Sequence, residues 1–86
     1  MIGWMARSKA GHDKEKIYII IDETEEYVYL SDGKIRTLEN PKRKKRKHIQ
    51  PIKKCINEEL TQKILTKQTV RNEEIKRAIK LYVNEI

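Results

Sequence analysis

Six consecutive basic side chains are the residues of this chain whose type and spacing could do chemistry, namely Lys42-Arg43-Lys44-Lys45-Arg46-Lys47. An unpaired buried cation costs far more free energy than packing returns, so these side chains must lie in water or against negative charge. In an extended segment, alternate cations lie about 7 Å apart and repel by roughly 0.6 kcal/mol per pair in water. A polyanionic partner would convert this repulsion into binding energy. The lysines would act as point charges, and the arginines could pair with phosphate or guanine in a bidentate way.

The positive charge of the chain is concentrated around this run. The 86 residues have a net charge of +7, with −3 over residues 1–33, +9 over 34–54 and +1 over 55–86. A field concentrated in one short stretch indicates nucleic acid, an anionic membrane surface or an acidic protein as partner. The run contains no aromatic residue for base stacking, which favours recognition of folded RNA through shape and backbone over reading of a single strand. For the run itself, a solvated or disordered loop is the alternative.

No group of residues in the sequence points to catalysis. The two histidines are far apart, and there is no cysteine–histidine cluster with the spacing of a zinc site. No glycine-rich loop could cradle a nucleotide phosphate, and no serine lies in a nucleophile-elbow sequence. Four acidic residues crowd one turn without an apolar pocket, and we interpret them as solvated: Asp22, Glu23, Glu25 and Glu26. We expect no enzymatic activity, no cofactor and no metal.

Cysteine usage and hydropathy bear on the compartment. Cys55 is the only cysteine, so it cannot form an internal disulfide, and a reducing cytoplasm is the simplest setting. We interpret it as a packed linker residue. The longest apolar run, over residues 19–21, is far too short to span a membrane. No charged region followed by an apolar core marks a signal peptide. These features predict a cytoplasmic protein.

Short strands come first among the elements that must position the basic run. Composition and alternation predict strands over residues 2–8, 16–22, 26–30, 34–38 and 48–52. In the second of these strands, Ile17, Ile19 and Ile21 would share one face. Tyr18 and Ile20 would lie on the opposite face.

The turns between the later strands are also predicted. Gly33, at the end of Ser31-Asp32-Gly33, can adopt a positive φ without steric cost, which is a strong hairpin signal. Lys34 to Leu38 would then be the returning strand. Asn40-Pro41 would end it and open a basic loop over residues 42–47. A proline within the last strand places that strand at a sheet edge or end.

After residue 56 the apolar period becomes helical. Asn57 is a candidate N-cap of a first helix, and Asn72 of a second that reaches the C-terminus. The second helix carries an apolar stripe formed by Ile75, Ile79, Tyr82, Val83 and Ile86. Such a stripe normally packs on its own protein, and the alternative is the groove of a partner. The chain is therefore predicted to be mainly β, with a small barrel of four to five strands over residues 1–54. A helical C-terminal tail of two short helices would follow over 55–86.

Three aromatic rings of the chain are candidates for stacking on bases. Val28 and Leu30 would share one face of the third strand, which leaves Tyr27 and Tyr29 on the other. Trp4 is the only tryptophan, and packing on the core is the more frequent fate of such a residue. Base stacking is the alternative for all three rings.

Part of the sequence resembles the KOW motif, which is a loop with a fixed glycine followed by an alternating apolar strand. The segment Ser8-Lys9-Ala10-Gly11-His12-Asp13-Lys14, followed by Ile17 to Ile21, carries the resemblance. The later order is also similar: Tyr27 to Leu30, Asp32-Gly33, a basic loop after Pro41, then His48 to Pro51. Residues 2–53 are thus similar to small bacterial KOW-domain RNA-binding proteins and to KOW-bearing large-subunit ribosomal proteins of archaea and eukaryotes. Asn72 to Ala78 also looks like a tail of some members.

The resemblance implies an SH3-like barrel that binds RNA without catalysis, with ribosomal RNA or the ribosome as the first partner. Binding would use the loop around Gly11 and the basic loop. The candidate RNA-binding residues are Lys9, Gly11, His12, Lys14, Arg36, Lys42, Arg43, Lys44, Lys45, Arg46, Lys47 and His48. Many members have a second glycine where this chain has Glu15. A carboxylate there would repel phosphate, and its Cβ restricts the turn.

Two other functions remain open from the sequence. A protein-interaction module of the translation or transcription machinery would use the C-terminal stripe, at Ile75, Ile79, Tyr82 and Val83. Attachment to anionic lipid is less favoured, because no apolar anchor adjoins the basic run. If the basic loop binds RNA, replacing residues 44–47 with alanine is expected to remove most of the affinity and leave the fold intact.

Overall fold

The chain forms one antiparallel sheet with two helices packed on it. The structure is a computed structural model that describes residues 1–53 and 57–85, so the predicted linker residue Cys55 lies outside the described part. The strands are β1 (Met5–Ser8), β2 (Ile17–Glu23), β3 (Tyr27–Ser31), β4 (Lys42–Lys45) and β5 (Ile49–Ile52). A 3-10 turn spans Arg46–His48, and the helices are α1 (Glu58–Leu65) and α2 (Asn72–Glu85). The prediction of a β-rich chain with C-terminal helices is confirmed.

The five strands are arranged in the order β4-β3-β2-β1-β5. Every neighbouring pair is antiparallel. The sheet is not closed into a barrel within the described residues, so β4 and β5 are its two edges. The predicted position of the last strand at an edge is confirmed. The 3-10 turn joins the two edge strands, and it thereby places the basic run at the margin of the sheet.

Both faces of β2 are apolar, as its alternation predicts. Ile17, Ile19 and Ile21 belong to the cluster beneath the helices. Tyr18 and Ile20 are buried in a second cluster on the other face of the sheet. The register between β2 and β3 shifts after Ile20, where a β-bulge inserts one residue.

The two helices cover the first face of the sheet. Leu60 of α1 and Ile75, Ala78 and Tyr82 of α2 pack on Met5 and Ile19, and all six are buried. This single cluster is built from both sides of the predicted boundary after residue 54. Asn57 caps α1 as predicted, because its side chain accepts a hydrogen bond of 3.0 Å from Leu60 N. No helix in the described part of the chain is long and apolar enough to cross a bilayer.

The predicted strand over residues 34–38 is wrong. The side chain of Asp32 accepts hydrogen bonds from the backbone N–H groups of Lys34, Ile35 and Arg36, at 2.9, 3.0 and 2.9 Å. These donors are therefore satisfied locally by a carboxylate rather than by a neighbouring strand, which is the usual competition between Asp and regular structure. The strand that pairs with β3 comes later, and it is formed by the first four basic residues of the run.

The loop between β3 and β4 is held against the start of α2. Asn72 lies at the start of that helix as predicted, but its side-chain oxygen accepts a hydrogen bond of 2.8 Å from Leu38 N. Its amide group donates to the carboxylate of Glu39 at 3.1 Å. This side chain therefore ties the loop to the helix.

Candidate nucleic-acid interface

The basic run is a strand followed by a 3-10 turn, so the prediction of a loop over residues 42–47 is wrong. Side chains of a strand alternate between the two faces of the sheet. Accordingly, Lys42 and Lys44 are partly buried, whereas Arg43, Lys45 and Lys47 are exposed. The alternation divides the run into inward and outward cations, and the two sets have different roles.

The inward cations are neutralised by the protein itself. Lys44 Nζ lies 2.7 Å from Asp13 Oδ1, and Lys42 Nζ lies 3.0 Å from Asp13 Oδ2. Ser8 and Tyr18 also donate hydrogen bonds to this carboxylate, at 2.9 and 3.0 Å. The side chains of Asp13 and Lys44 are only 9% and 10% exposed. The expectation that the whole run awaits an external polyanion is therefore wrong for these two lysines.

The ionisation of the Asp13 network follows from these contacts. Burial alone would raise the pKa of Asp13, but hydrogen bonds from Lys44, Lys42, Ser8 and Tyr18 outweigh it and bring the pKa well below its usual range. Burial, followed by the hydrogen bond to Asp13, raises the pKa of Tyr18 well above its usual range. At neutral pH the carboxylate is charged and the phenol is a neutral donor. The network therefore clamps the turn before β2 to the edge strand β4.

Arg46 also forms an internal ion pair, with Glu23. Its guanidinium Nη2 lies 2.6 Å from Glu23 Oε1 and donates to the carbonyl oxygen of Thr24 at 2.7 Å. Glu23 accepts a second hydrogen bond, of 3.0 Å, from the amino group of Met1. That hydrogen bond lowers the pKa of Glu23, burial opposes the shift, and the contact with Arg46 adds to the lowering. Arg46 thus fixes the turn between β2 and β3.

The outward cations lie beside two tyrosines of β3. Across the two strands, Tyr29 pairs with Arg43 and Tyr27 pairs with Lys45. Arg43 also reaches diagonally, and its Cζ lies 4.6 Å from the centre of the Tyr27 ring. Both tyrosines are half-buried. The sequence predicts the outward direction of the tyrosines, but it does not predict their pairing with the basic run, because it predicts the returning strand at residues 34–38.

The turn before β2 adjoins the basic strand, as the resemblance implies. Gly11 has φ 86°, and a Cβ built there would lie 3.7 Å from Lys44 Nζ. Lys44 also donates a hydrogen bond of 2.7 Å to the carbonyl oxygen of Ala10. The three cationic candidates of the turn are exposed, namely Lys9, His12 and Lys14. The structure therefore brings the two predicted binding segments together, and it joins them through the inward lysines.

The remaining candidates lie at the margins of this surface. His48 is half-buried at the end of the 3-10 turn, and its carbonyl oxygen accepts a hydrogen bond of 2.9 Å from Lys9 N. Arg36 is half-buried in the loop after β3, where its carbonyl oxygen accepts a hydrogen bond of 2.7 Å from Ser31. Trp4 packs against the second core cluster, as predicted. Its ring centre lies 5.8 Å from Lys53 Nζ.

Glu15 occupies the position where the resemblance implies a second glycine. Its φ is 75°, which is a left-handed conformation that favours glycine. Its carboxylate lies 3.2 Å from Arg7 Nη1 in an exposed ion pair. Together with Lys9 and Lys14, these residues line part of a cavity of about 670 Å³. A carboxylate here is expected to repel phosphate, and the positive φ adds backbone strain at the same residue.

The apolar stripe of α2 is largely covered by the sheet. Ile75 and Tyr82 are buried, and Ile79 packs partly against the same cluster. Val83 lies at the margin of the stripe and is 45% exposed. Most of the surface that the alternative partner would use is therefore occupied within the molecule.

Comparison with known proteins adds no relative to these observations. A scan against models of protein families finds no match to this chain, and a search of curated protein sequences finds none either.

Proposed function

We propose that this protein is a non-catalytic RNA-binding module that docks on structured RNA, with ribosomal RNA as the first candidate. The docking surface comprises the outward cations Arg43, Lys45 and Lys47 together with the turn around Gly11. One observation carries the proposal. Three cations of the run form internal ion pairs, whereas the outward three pair with no carboxylate of residues 1–53 and 57–84.

The spacing of the outward cations suits a chain of phosphates. Arg43 and Lys45 are alternate residues of β4 and therefore lie about 7 Å apart, which is close to the separation of neighbouring phosphates along a nucleic-acid strand. Lys9 and Lys14 are exposed as well, on the turn that Lys44 holds beside β4. A charged edge strand also resists pairing with a second chain. That protective role explains charge on the edge, but it does not explain a second group of cations on the adjoining turn.

We further propose that the sheet is an SH3-like barrel left open along one side. The strand order and the 3-10 turn between the two edge strands support this assignment. The hydrogen bond from Lys44 to Ala10 also joins β4 to the turn between β1 and β2 across the open side. The resemblance of residues 2–53 to KOW-motif proteins agrees with the same fold and with RNA as the ligand.

The salt dependence of RNA binding tests the proposal. Contacts to about four to six phosphates predict that log K falls with log salt concentration with a slope of roughly −3 to −5. The measurement is a titration of the purified protein with a folded ribosomal RNA fragment at several salt concentrations. Sedimentation with ribosomal particles at low and high salt gives an independent readout. An absence of RNA binding at low ionic strength would contradict the proposal.

A further inference from the structure

On one face of the sheet, the type of side chain changes from strand to strand, starting at the edge strand β4. Strand β4 presents the cations Arg43 and Lys45, and β3 presents Tyr27 and Tyr29 beside them. Across the bulge in β2, Asp22 pairs with Tyr29 and adds an exposed carboxylate to the same face. Cations, aromatic rings and an anion thus follow one another across three neighbouring strands.

Neither tyrosine belongs to the apolar cluster that packs beneath the helices. Ser31 of β3 pairs with Ile19, so Tyr29 and Tyr27 lie on the face that carries the helices. The apolar cluster beneath the helices, however, draws its strand residues from β1, β2 and β5. The opposite face of β3 supplies the buried Val28 and Leu30. The rings are therefore not needed to fill either core.

We propose that Tyr27, Tyr29 and Arg43 form a stacking platform for unpaired nucleotides of RNA, an inference that rests on the proposed function. Unpaired bases stack on aromatic rings and on the plane of an arginine guanidinium. Arg43 lies over the Tyr27 ring, with 4.6 Å between Cζ and the ring centre, so its guanidinium plane is already held in place. A base can stack on that plane or on Tyr29.

The charges on either side of the platform set the direction of the RNA. Lys45 at the end of β4 and Lys47 in the 3-10 turn attract phosphate, and Asp22 repels phosphate on the far side of the tyrosines. The sugar–phosphate backbone therefore follows the sheet edge, and the bases turn inward over the rings. A cavity of about 330 Å³ lies beside these cations and is lined by Lys45, Arg46, Lys47 and Glu26. This volume is that of a small ligand site. Loops or bulges of a folded RNA would supply such nucleotides.

This platform supplies the aromatic component that the basic run lacks in sequence. The stacking partners come from a different strand, and only the pairing of β3 with β4 places them beside the cations. The proposed ligand is thus an unpaired segment within structured RNA, rather than a regular duplex recognised by backbone alone.

Two oligonucleotides and two pairs of variants test the platform. The probes are a single-stranded RNA and a blunt-ended RNA duplex without unpaired bases, of equal phosphate number. In Tyr27→Leu and Tyr29→Leu, affinity for the single strand is expected to fall by about 5- to 150-fold per lost stacking contact. Affinity for the duplex and the salt slope should remain as in the wild type, because the phosphate contacts are intact. The controls Tyr27→Phe and Tyr29→Phe keep the ring and should bind within about twofold of the wild type.

The outcomes separate this inference from the proposed function. If the wild type binds RNA and the leucine variants bind the single strand equally well, the platform is refuted and the RNA-binding function stands. The platform is also refuted if the leucine variants lose affinity equally for both probes and have a shallower salt slope. The tyrosines would then act only by positioning the cations. If the wild type binds neither probe at low salt, the proposed function and the platform both fail. Thermal unfolding of each variant confirms that the sheet is retained.

Discussion

Glu15 is strained by its own side chain. A non-glycine residue with φ 75° carries a Cβ clash that costs roughly 1–2 kcal/mol. The ion pair with Arg7 is exposed and offsets little of this cost. The resemblance to the KOW motif implies a glycine at this position, and the positive φ of Glu15 gives a physical reason to expect one.

We therefore expect Glu15→Gly to stabilise the protein by about 1 kcal/mol, because glycine adopts this φ without a clash. The measurement is the free energy of unfolding from a urea titration. Glu15→Ala is the matched control, since it removes the same carboxylate but keeps Cβ, and it should bring no gain. Equal stabilisation by both variants would show that the carboxylate, and not the backbone, is responsible.

The ion pairs of Asp13 with Lys42 and Lys44 could not be predicted from the sequence. Within Gly11-His12-Asp13-Lys14 it looks like an ordinary turn residue, and its two lysine partners lie about thirty residues further along the chain. No local pattern marks such a long-range pairing. Only the correct placement of β4 beside β3, with its even-numbered lysines facing inward, could have predicted the network.

Asp13→Asn is expected to destabilise the protein by about 3 kcal/mol at pH 7, because it leaves the buried ammonium group of Lys44 without its counter-charge. Because folding lowers the pKa of Asp13, its contribution is complete above the unfolded value of 3.8 and is lost as the pH falls below it. The stability difference between wild type and Asp13→Asn should therefore narrow below pH 4. Urea unfolding of both proteins from pH 7 to pH 3 measures this difference. Asp22→Asn, at an exposed carboxylate, is the control, and a difference that stays constant with pH would contradict the account.

At the scale of elements, alternation predicts the strands well and the loop after β3 poorly. The faces of β2 and the outward direction of Tyr27 and Tyr29 agree with the structure. The strand expected at residues 34–38 fails, because the side chain of Asp32 satisfies three successive backbone donors. A run of lysines and arginines was expected to be a loop. It forms an edge strand, since its inward members find a carboxylate and its outward members remain in water.

Gly33 shows how closely this loop approaches α2. Its φ is 72°, and a Cβ there would collide with the carbonyl oxygen of Asn72 and lie 3.0 Å from Lys76 N. Gly33→Ala should therefore cost about 2–4 kcal/mol, from backbone strain and overpacking together. Gly11→Ala is the matched control, because its φ of 86° imposes the same strain while its nearest atoms lie at 3.5 and 3.7 Å. That variant should cost only about 1–2 kcal/mol. Equal losses of unfolding free energy in the two variants would show that the loop does not pack on the helix.

At the scale of the whole molecule, the fold divides the basic run into cations that form internal ion pairs and cations that are exposed to solvent. The strongly basic segment at residues 34–54 is visible in the sequence, and it predicts a partner of opposite charge. The division of that segment into inward and outward cations is not visible, because it depends on the register of β4. It also changes the choice of variants. Replacing residues 44–47 with alanine would remove Lys44 and Arg46 from their ion pairs, so a loss of RNA binding could come from damage to the fold.

The most direct measurement compares RNA binding by the wild type and by the triple variant Arg43→Gln, Lys45→Gln and Lys47→Gln over a range of salt concentrations. The account predicts a slope shallower by about 2–3 units, because up to three phosphate contacts are lost. The unfolding temperature should stay within about 4 °C of the wild type, because these side chains are exposed. The charge-matched control replaces the exposed Lys67, Arg71 and Lys80 with glutamine and should keep the wild-type slope. If both triple variants change the slope equally, or neither does, the RNA-binding surface does not include Arg43, Lys45 and Lys47.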